Sequence, residues 1–398
     1  MLDKWKKHIK GTYMKYNFDT PTDRRHSRSI KWDVLENELP MWIADMDFET
    51  APMVKDALIE TANHGIFGYS TTPQEYFEAI SDFFFDRHHY RFMPKDMIFT
   101  SGILASIASM IRSLTEPSDK VLLQSPVYNN FYDCIKNNGR EVIESELVYK
   151  NGEYSIDFVD LEEKLSQSDV KLMIICNPHN PIGKVWERKE LSKIAELCKK
   201  HSVTVISDEI HCSLTPCCVK YTPFASASES AAEISATCVS TSKTFNLAGI
   251  HAAVVIARNE QINKKVALGI KRDELSKPNI FAINGCIAGY RYGNEWLDEL
   301  NEYLCANRRF AEEYINKNIK GLYVVNSNAS YLLWVDISKY SNDSVSFTSE
   351  LREKTGLYVS PGAVYGTGGE GFIRINLGTQ RARVEDGLYR LKSFIESL

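Results

Sequence analysis

The sequence predicts an α/β protein, a mostly parallel central sheet covered by helices and followed by a smaller α+β domain. Two observations carry that prediction. From about residue 95, short apolar runs alternate with helical patterns. After about Asn284 the rhythm changes to one long helix, short strands and a closing helix. The length agrees, because 398 residues exceed one ordinary core and suggest two or three domains.

The apolar runs lie at 97–100, 121–125, 171–176, 203–207, 237–240 and 252–257. They are rich in Val, Ile and Leu without a period of two, as strands buried on both faces should be. Between two of them Leu191, Ile194, Ala195, Leu197 and Cys198 share one face of a helix starting near Arg188. Beyond Asn284 the pattern predicts a helix over 295–318, strands over 331–336 and 372–377, and a helix over 384–398. The first 45 residues hold no strand–helix unit and are expected to pack with the small domain. The expected division is 1–45 for that segment, 46–285 for the large domain and 286–398 for the small one.

Composition narrows the function. With 43% hydrophobic and 25% charged residues and a net charge of −5, nothing favours a nucleic acid or an anionic membrane as partner. The opening ten residues are charged and lack the apolar stretch of a secretory signal, and no run approaches a membrane span. The expectation is a cytoplasmic protein. Nine scattered cysteines do not resemble a disulfide framework. The patch His211-Cys212 with Cys217-Cys218 has no Cys-x-x-Cys and no second ligand cluster, so reduced buried thiols are expected rather than a metal site.

The polar punctuation sits just after the expected strands: Ser101-Gly102, Pro126-Val-Tyr128, Asn-Pro-His-Asn-Pro-Ile-Gly at 177–183, Asp208-Glu-Ile-His211 and Ser242-Lys243-Thr244. Each alone reads as a turn, a cap or a surface loop. Together they converge on the edge of an open α/β sheet where ligands bind. Their chemistry suits one cofactor, pyridoxal 5′-phosphate (PLP), which needs a lysine for a Schiff base and an acid facing its ring nitrogen. It also needs a donor to its phenolate oxygen, a cradle for its phosphate and a flat partner for its ring. Lys243, Asp208, Asn180, the helix start at Gly102, Ile103 and Leu104 with Ser240 and Ser242, and Tyr128 meet these needs in turn. The glycine-rich nucleotide fingerprints are absent.

On these residues the chain resembles the fold-type I PLP-dependent enzymes, the aspartate aminotransferase superfamily. Within it the chain is similar to the branch of cystathionine β-lyases and cysteine-S-conjugate β-lyases. The likeness runs through 17–25, 29–33, 39–48 (Leu-Pro-Met-Trp-Ile-Ala-Asp-Met-Asp-Phe), 64–69, 176–186, 206–211, 242–249 and 371–378. The resemblance implies that Lys243 carries the cofactor and then moves the Cα proton, that Asp208 faces the pyridinium, and that Asn180 donates to the phenolate. It implies further that Tyr128 stacks on the ring and that Ser240, Ser242 and the Gly102, Ile103 and Leu104 amides hold the phosphate. Arg374 would grip the substrate carboxylate with its bidentate fork. Tyr69 would reach the phosphate of a neighbouring subunit, making a homodimer with shared sites.

Two positions depart from the transaminase pattern. His211 stands where a tyrosine is usual, and His251 where an arginine commonly meets the phosphate. His211 is expected at the ring; His251 is either near the phosphate or a core histidine. Both departures favour a lyase that splits a cysteine thioether into a thiol, pyruvate and ammonia. An aminotransferase shares the first proton step and stays open as the alternative, as does a regulatory binding protein with residual lyase activity, since some members of the branch bind a transcription factor.

Overall fold

The computed structural model describes residues 15–216 and 218–398. The charged opening and Cys217 of the cysteine patch lie outside the described residues. Seven strands form the main sheet: β1 (Met97–Thr100), β2 (Lys120–Leu123), β3 (Glu141–Glu144), β4 (Val170–Cys176), β5 (Thr204–Asp208), β6 (Ser235–Val239) and β7 (Ala253–Ile256). Their order is β1-β7-β6-β5-β4-β2-β3. All neighbours run parallel except β7, which is antiparallel to both β1 and β6.

The lack of alternation in the sequence has a direct cause. In β4, Leu172, Ile174 and Cys176 point into one buried cluster with Ile107 and Val266, while Met173 and Ile175 point into another with Leu191 and Ile194. Each face is covered by helices, so neither set of positions can be polar. The helix Arg188–Lys200 buries the five residues that share its face, and the Glu190 carboxylate accepts from the Glu187 amide at 2.7 Å at its start. Strand β3 was missed in the sequence. It is an edge strand with glutamate at both ends and no fully buried residue, so it reads as a loop.

The C-terminal region carries a four-stranded antiparallel sheet, β8 (Tyr323–Val324), β9 (Leu332–Asp336), β10 (Ser360–Pro361) and β11 (Phe372–Asn376), in the order β8-β9-β11-β10. Its core contains Leu333, Val335, Ile373 and Ile375 with Leu388 and Phe394 of the closing helix Arg381–Glu396. Trp32, Leu39 and Met41 join this core, and Leu39–Pro40 pairs in parallel with Leu357–Tyr358. The long helix Asn294–Asn318 serves two cores. Trp296, Leu297, Leu300 and Leu304 pack with Phe245 and Val254, whereas Ala311 and Ile315 pack with the small sheet. A boundary between 285 and 286 cuts the helix Ile280–Tyr292, so we propose that the domains divide along the long helix instead. Among the described residues no helix is long and apolar enough to cross a membrane.

Candidate active site

The site is built where the strands end. Asp208 is the last residue of β5 and is buried. Among the described residues its carboxylate has one hydrogen-bond donor, the Ile210 amide at 3.3 Å. Burial lifts its pKa to about 6, against the pull of that amide and of the Lys243 charge. Lys243 follows β6 on the short helix Thr241–Thr244, which Ser240 caps by accepting from the Ser242 amide at 3.0 Å. Burial lowers the Lys243 pKa to about 8; Arg374 adds to the effect and Asp45 and Asp208 oppose it. The amine donates to the Ala44 carbonyl.

Arg374 stands in the middle of β11, paired across the sheet with Trp334 and Ser360. It is buried and donates to Asn180 Oδ1 at 3.0 Å and to the Trp42 carbonyl at 2.8 Å, with the Tyr365 ring 5.0 Å from its guanidinium. Its Nε has no hydrogen-bond partner among the described residues. Asn180 spends its amide oxygen on this arginine, which leaves the NH₂ to donate elsewhere. Tyr128 is half-buried and accepts from Asn130 Nδ2 at 2.9 Å. Burial pushes its pKa up to about 12, and Arg374 and Asp208 are the charges that act on it next. His211 is buried with Nδ1 3.0 Å from the Ser330 hydroxyl. Burial, then the Lys243 and Arg374 charges, lower its pKa to about 3, so the imidazole is neutral.

At the end of β1, Gly102 takes φ +126° and opens the helix Ile103–Leu114 with no side-chain cap, so the Gly102, Ile103 and Leu104 amides start a helix with nothing of its own to bind. A Cβ at Gly102 would meet His251 Nδ1 at 3.7 Å. His251 is exposed beside this helix start, which rules out the core-histidine alternative. Ser240 is already committed, donating to the Ala252 carbonyl at 2.7 Å while it caps Lys243's helix. Ser242 is half-buried, and among the described residues its hydroxyl has no hydrogen-bond partner. Tyr69 stands apart from all of these, fully exposed in the stretch after the helix Pro52–His64, with Ile66 and Phe67 exposed beside it.

Three contributors escaped the sequence reading. The carbonyls of Trp42 and Ala44 receive Arg374 and Lys243, and a backbone acceptor has no side-chain signature. Tyr331 also donates to the Ala44 carbonyl, at 3.0 Å; it lies at a strand start rather than in a polar loop. Among the described residues no group of three or more His, Cys, Asp or Glu side chains could hold a metal.

Known proteins share this architecture. The chain is 40% identical over 383 residues, 95% of its length and 99% of the relative's, to cystathionine beta-lyase PatB of Bacillus subtilis strain 168. It superposes with a TM-score of 0.92 and 30% identity on cystalysin from Treponema denticola, a structure that contains a pyridoxal 5′-phosphate cofactor, covering 96% of this chain and 100% of that one. A PLP-bound C-S lyase from Staphylococcus hominis gives a TM-score of 0.90 at 30% identity, with 96% and 98% of the two chains covered. The model of aminotransferase class I and II matches residues 38–391, and the chain belongs to that family.

Proposed function

We infer that the chain is a PLP-dependent carbon–sulfur β-lyase acting on L-cystathionine or a related cysteine S-conjugate. One water is consumed for each thioether split, and a thiol such as homocysteine, pyruvate and ammonia are released. The observation that carries the reading is the enclosed Lys243 amine, flanked by Asp208 and Arg374. Full-length likeness to a cystathionine β-lyase decides the reaction type. The site also fits the cofactor. Among the described residues the buried Arg374 Nε has no partner, the Asp208 carboxylate has one long hydrogen bond, and the Gly102 helix start carries no side-chain cap. A buried polar group left short of partners is costly unless a ligand completes it.

The cofactor supplies an aldehyde that condenses with amines and a ring that draws electrons from Cα. Lys243 is the lysine that holds it and, once released, the base that takes the Cα proton. A pKa near 8 leaves a usable share of this amine unprotonated at neutral pH. Asp208 would face the ring nitrogen and keep it protonated, Asn180 would donate to the phenolate oxygen through its free NH₂, and Tyr128 would supply the flat partner for the ring. The Gly102, Ile103 and Leu104 amides, with Ser242 and the capping Ser240, would hold the phosphate. Arg374 exchanges its bonds to Asn180 and Trp42 for the substrate carboxylate.

The exposed Ile66, Phe67 and Tyr69 support a homodimer in which each Tyr69 completes the partner's phosphate site. The eight described cysteines form no disulfide, which supports a reducing, cytoplasmic setting. A panel of amino acids, assayed in parallel for pyruvate, free thiol and keto-acid-dependent amino transfer, tests the reading. Pyruvate and thiol should appear in equal amounts from L-cystathionine. Amino transfer without pyruvate would establish an aminotransferase instead.

A further inference from the structure

Strand β3 ends in Glu144, whose carboxylate reaches across to the loop that leads into β11. Its Oε2 accepts from the Thr367 hydroxyl at 2.7 Å and its Oε1 from the Thr367 amide at 3.2 Å. Tyr132 stands on the short helix Asn130–Lys136 that follows Tyr128. Its hydroxyl is shared between Glu144 Oε1 and the Tyr365 carbonyl, the latter 3.2 Å away. Burial would raise the Glu144 pKa, but the bonds from Tyr132 and Thr367 overcome that and hold the carboxyl below its usual range. Gly366 lies between these partners with φ +91°. A Cβ there would collide with Tyr132 Oη and Glu144 Oε1, so the turn can approach this pair only as glycine.

Tyr365 is the residue that this clasp holds. Its carbonyl also accepts from the Val127 amide at 2.8 Å, one position before Tyr128. Its ring is buried and packs edge-on against Trp334, with centroids 5.4 Å apart. The Arg374 guanidinium lies over the same ring, 5.0 Å from its centre. An aromatic face attracts a cation placed over it, and more strongly where water is excluded. The contact restricts how the guanidinium plane can turn, and a bidentate grip on a carboxylate depends on that plane.

We propose that Glu144 is a positioning residue: by clasping the Gly366–Thr367 turn it fixes the Tyr365 ring against Arg374 and so orients the guanidinium that takes the substrate α-carboxylate. The inference rests on the role given to Arg374 above. Glu144 touches neither Arg374 nor the loops that would hold the cofactor, so its effect is confined to the carboxylate end of the substrate. Without the clasp the turn is free to drift, the ring moves with it, and the fork meets the carboxylate out of plane. Binding of the amine end, which depends on Lys243 and the cofactor, is untouched.

The test uses the holoprotein and two small probes. One is L-methionine, whose sulfur lies a carbon too far for β-elimination, and the other is 3-(methylthio)propylamine, the same molecule without its carboxylate. Binding is followed by the absorbance of the bound cofactor. Glu144→Ala should raise the Kd for L-methionine about tenfold and leave the Kd for the amine within about twofold of the parent. Thr367→Val removes one bond of the clasp at an exposed position and should raise the Kd for L-methionine about threefold. Glu144→Gln keeps an acceptor for Tyr132 and for the Thr367 amide, and should recover most of the affinity that alanine loses. If Glu144→Ala fails to fold, Thr367→Val still decides. A folded variant that binds both probes as the parent does, or loses both equally, overturns the proposal and leaves the lyase reading intact. Equal affinity of the parent for the two probes overturns the role given to Arg374, and the inference with it.

Discussion

Enclosing a lysine amine near a guanidinium disfavours its charged form, and Lys243 carries that cost in the resting protein. Its pKa of about 8 lies below the 10.5 of a free lysine. A lowered lysine pKa means that between these values the unfolded chain binds more protons than the folded one. The stability of the cofactor-free protein should therefore rise with pH from about 8 to 10.5, by up to about 3 kcal/mol. Urea titrations of the cofactor-free protein at pH 8 and pH 10, against Lys243→Met, isolate this contribution, because the variant should lack the rise. Lys243→Ala should still bind PLP but retain none after borohydride reduction, and turnover should fall by several orders of magnitude. A reduced label mapped to another lysine, Lys184 for instance, would remove the centre of the reading. Asp208→Asn should fold and lose at least about tenfold in turnover, since an amide cannot hold the ring nitrogen protonated. Survival within about threefold, under 1 kcal/mol of barrier, would show that Asp208 has another role.

At the scale of elements, the decisive piece is the irregular stretch from Trp42 to Phe48, which brings carbonyls to Arg374, Lys243, Tyr331 and Asn246. Ion pairs hold it in place. Asp47 is buried and meets Lys31 at 3.0 Å, Arg24 at 2.8 Å and Trp32 Nε1 at 2.7 Å. Burial would raise its pKa, but Lys31 and the Trp32 hydrogen bond overcome that and hold the carboxyl below its usual range. Asp47→Ala leaves the equally buried Lys31 with only Asp45 at 3.5 Å, and should cost about 3–5 kcal/mol by thermal or urea unfolding. A loss under about 1 kcal/mol would mean that the stretch is held by its backbone bonds alone. The sequence announced β4 to β7 because strands buried on both faces must be continuously apolar, and it announced the polar loops because side chains carry their chemistry. It could not announce β3, whose edge position tolerates Glu141 and Glu144, or the Ala44 carbonyl, which looks like any other. Nor did it reveal that the Ser240 hydroxyl, besides capping the helix of Lys243, is spent on the Ala252 carbonyl twelve residues away.

For the molecule as a whole, the exposed Tyr69 makes the most exacting prediction. Tyr69→Ala and Lys243→Ala chains, each nearly inactive, should regain activity when mixed and allowed to exchange subunits. In a mixed C2 dimer both lesions fall in one site and the other stays intact, so random mixing should restore about a quarter of the sites. No recovery despite proven exchange would mean that Tyr69 serves its own chain and that the shared-site dimer fails. The sheet order has a consequence in time rather than in space. Strand β1 has a single neighbour, β7, and its partners Met97 and Ile256 are separated by more than 150 positions of chain. On a ribosome adding about 5–20 residues per second, β1 must wait roughly 10–30 s after its own emergence before the strand that closes over it exists. Through that interval its backbone is an unpaired edge, which makes the nascent chain, rather than the finished enzyme, the form most exposed to misassembly and most in need of a chaperone.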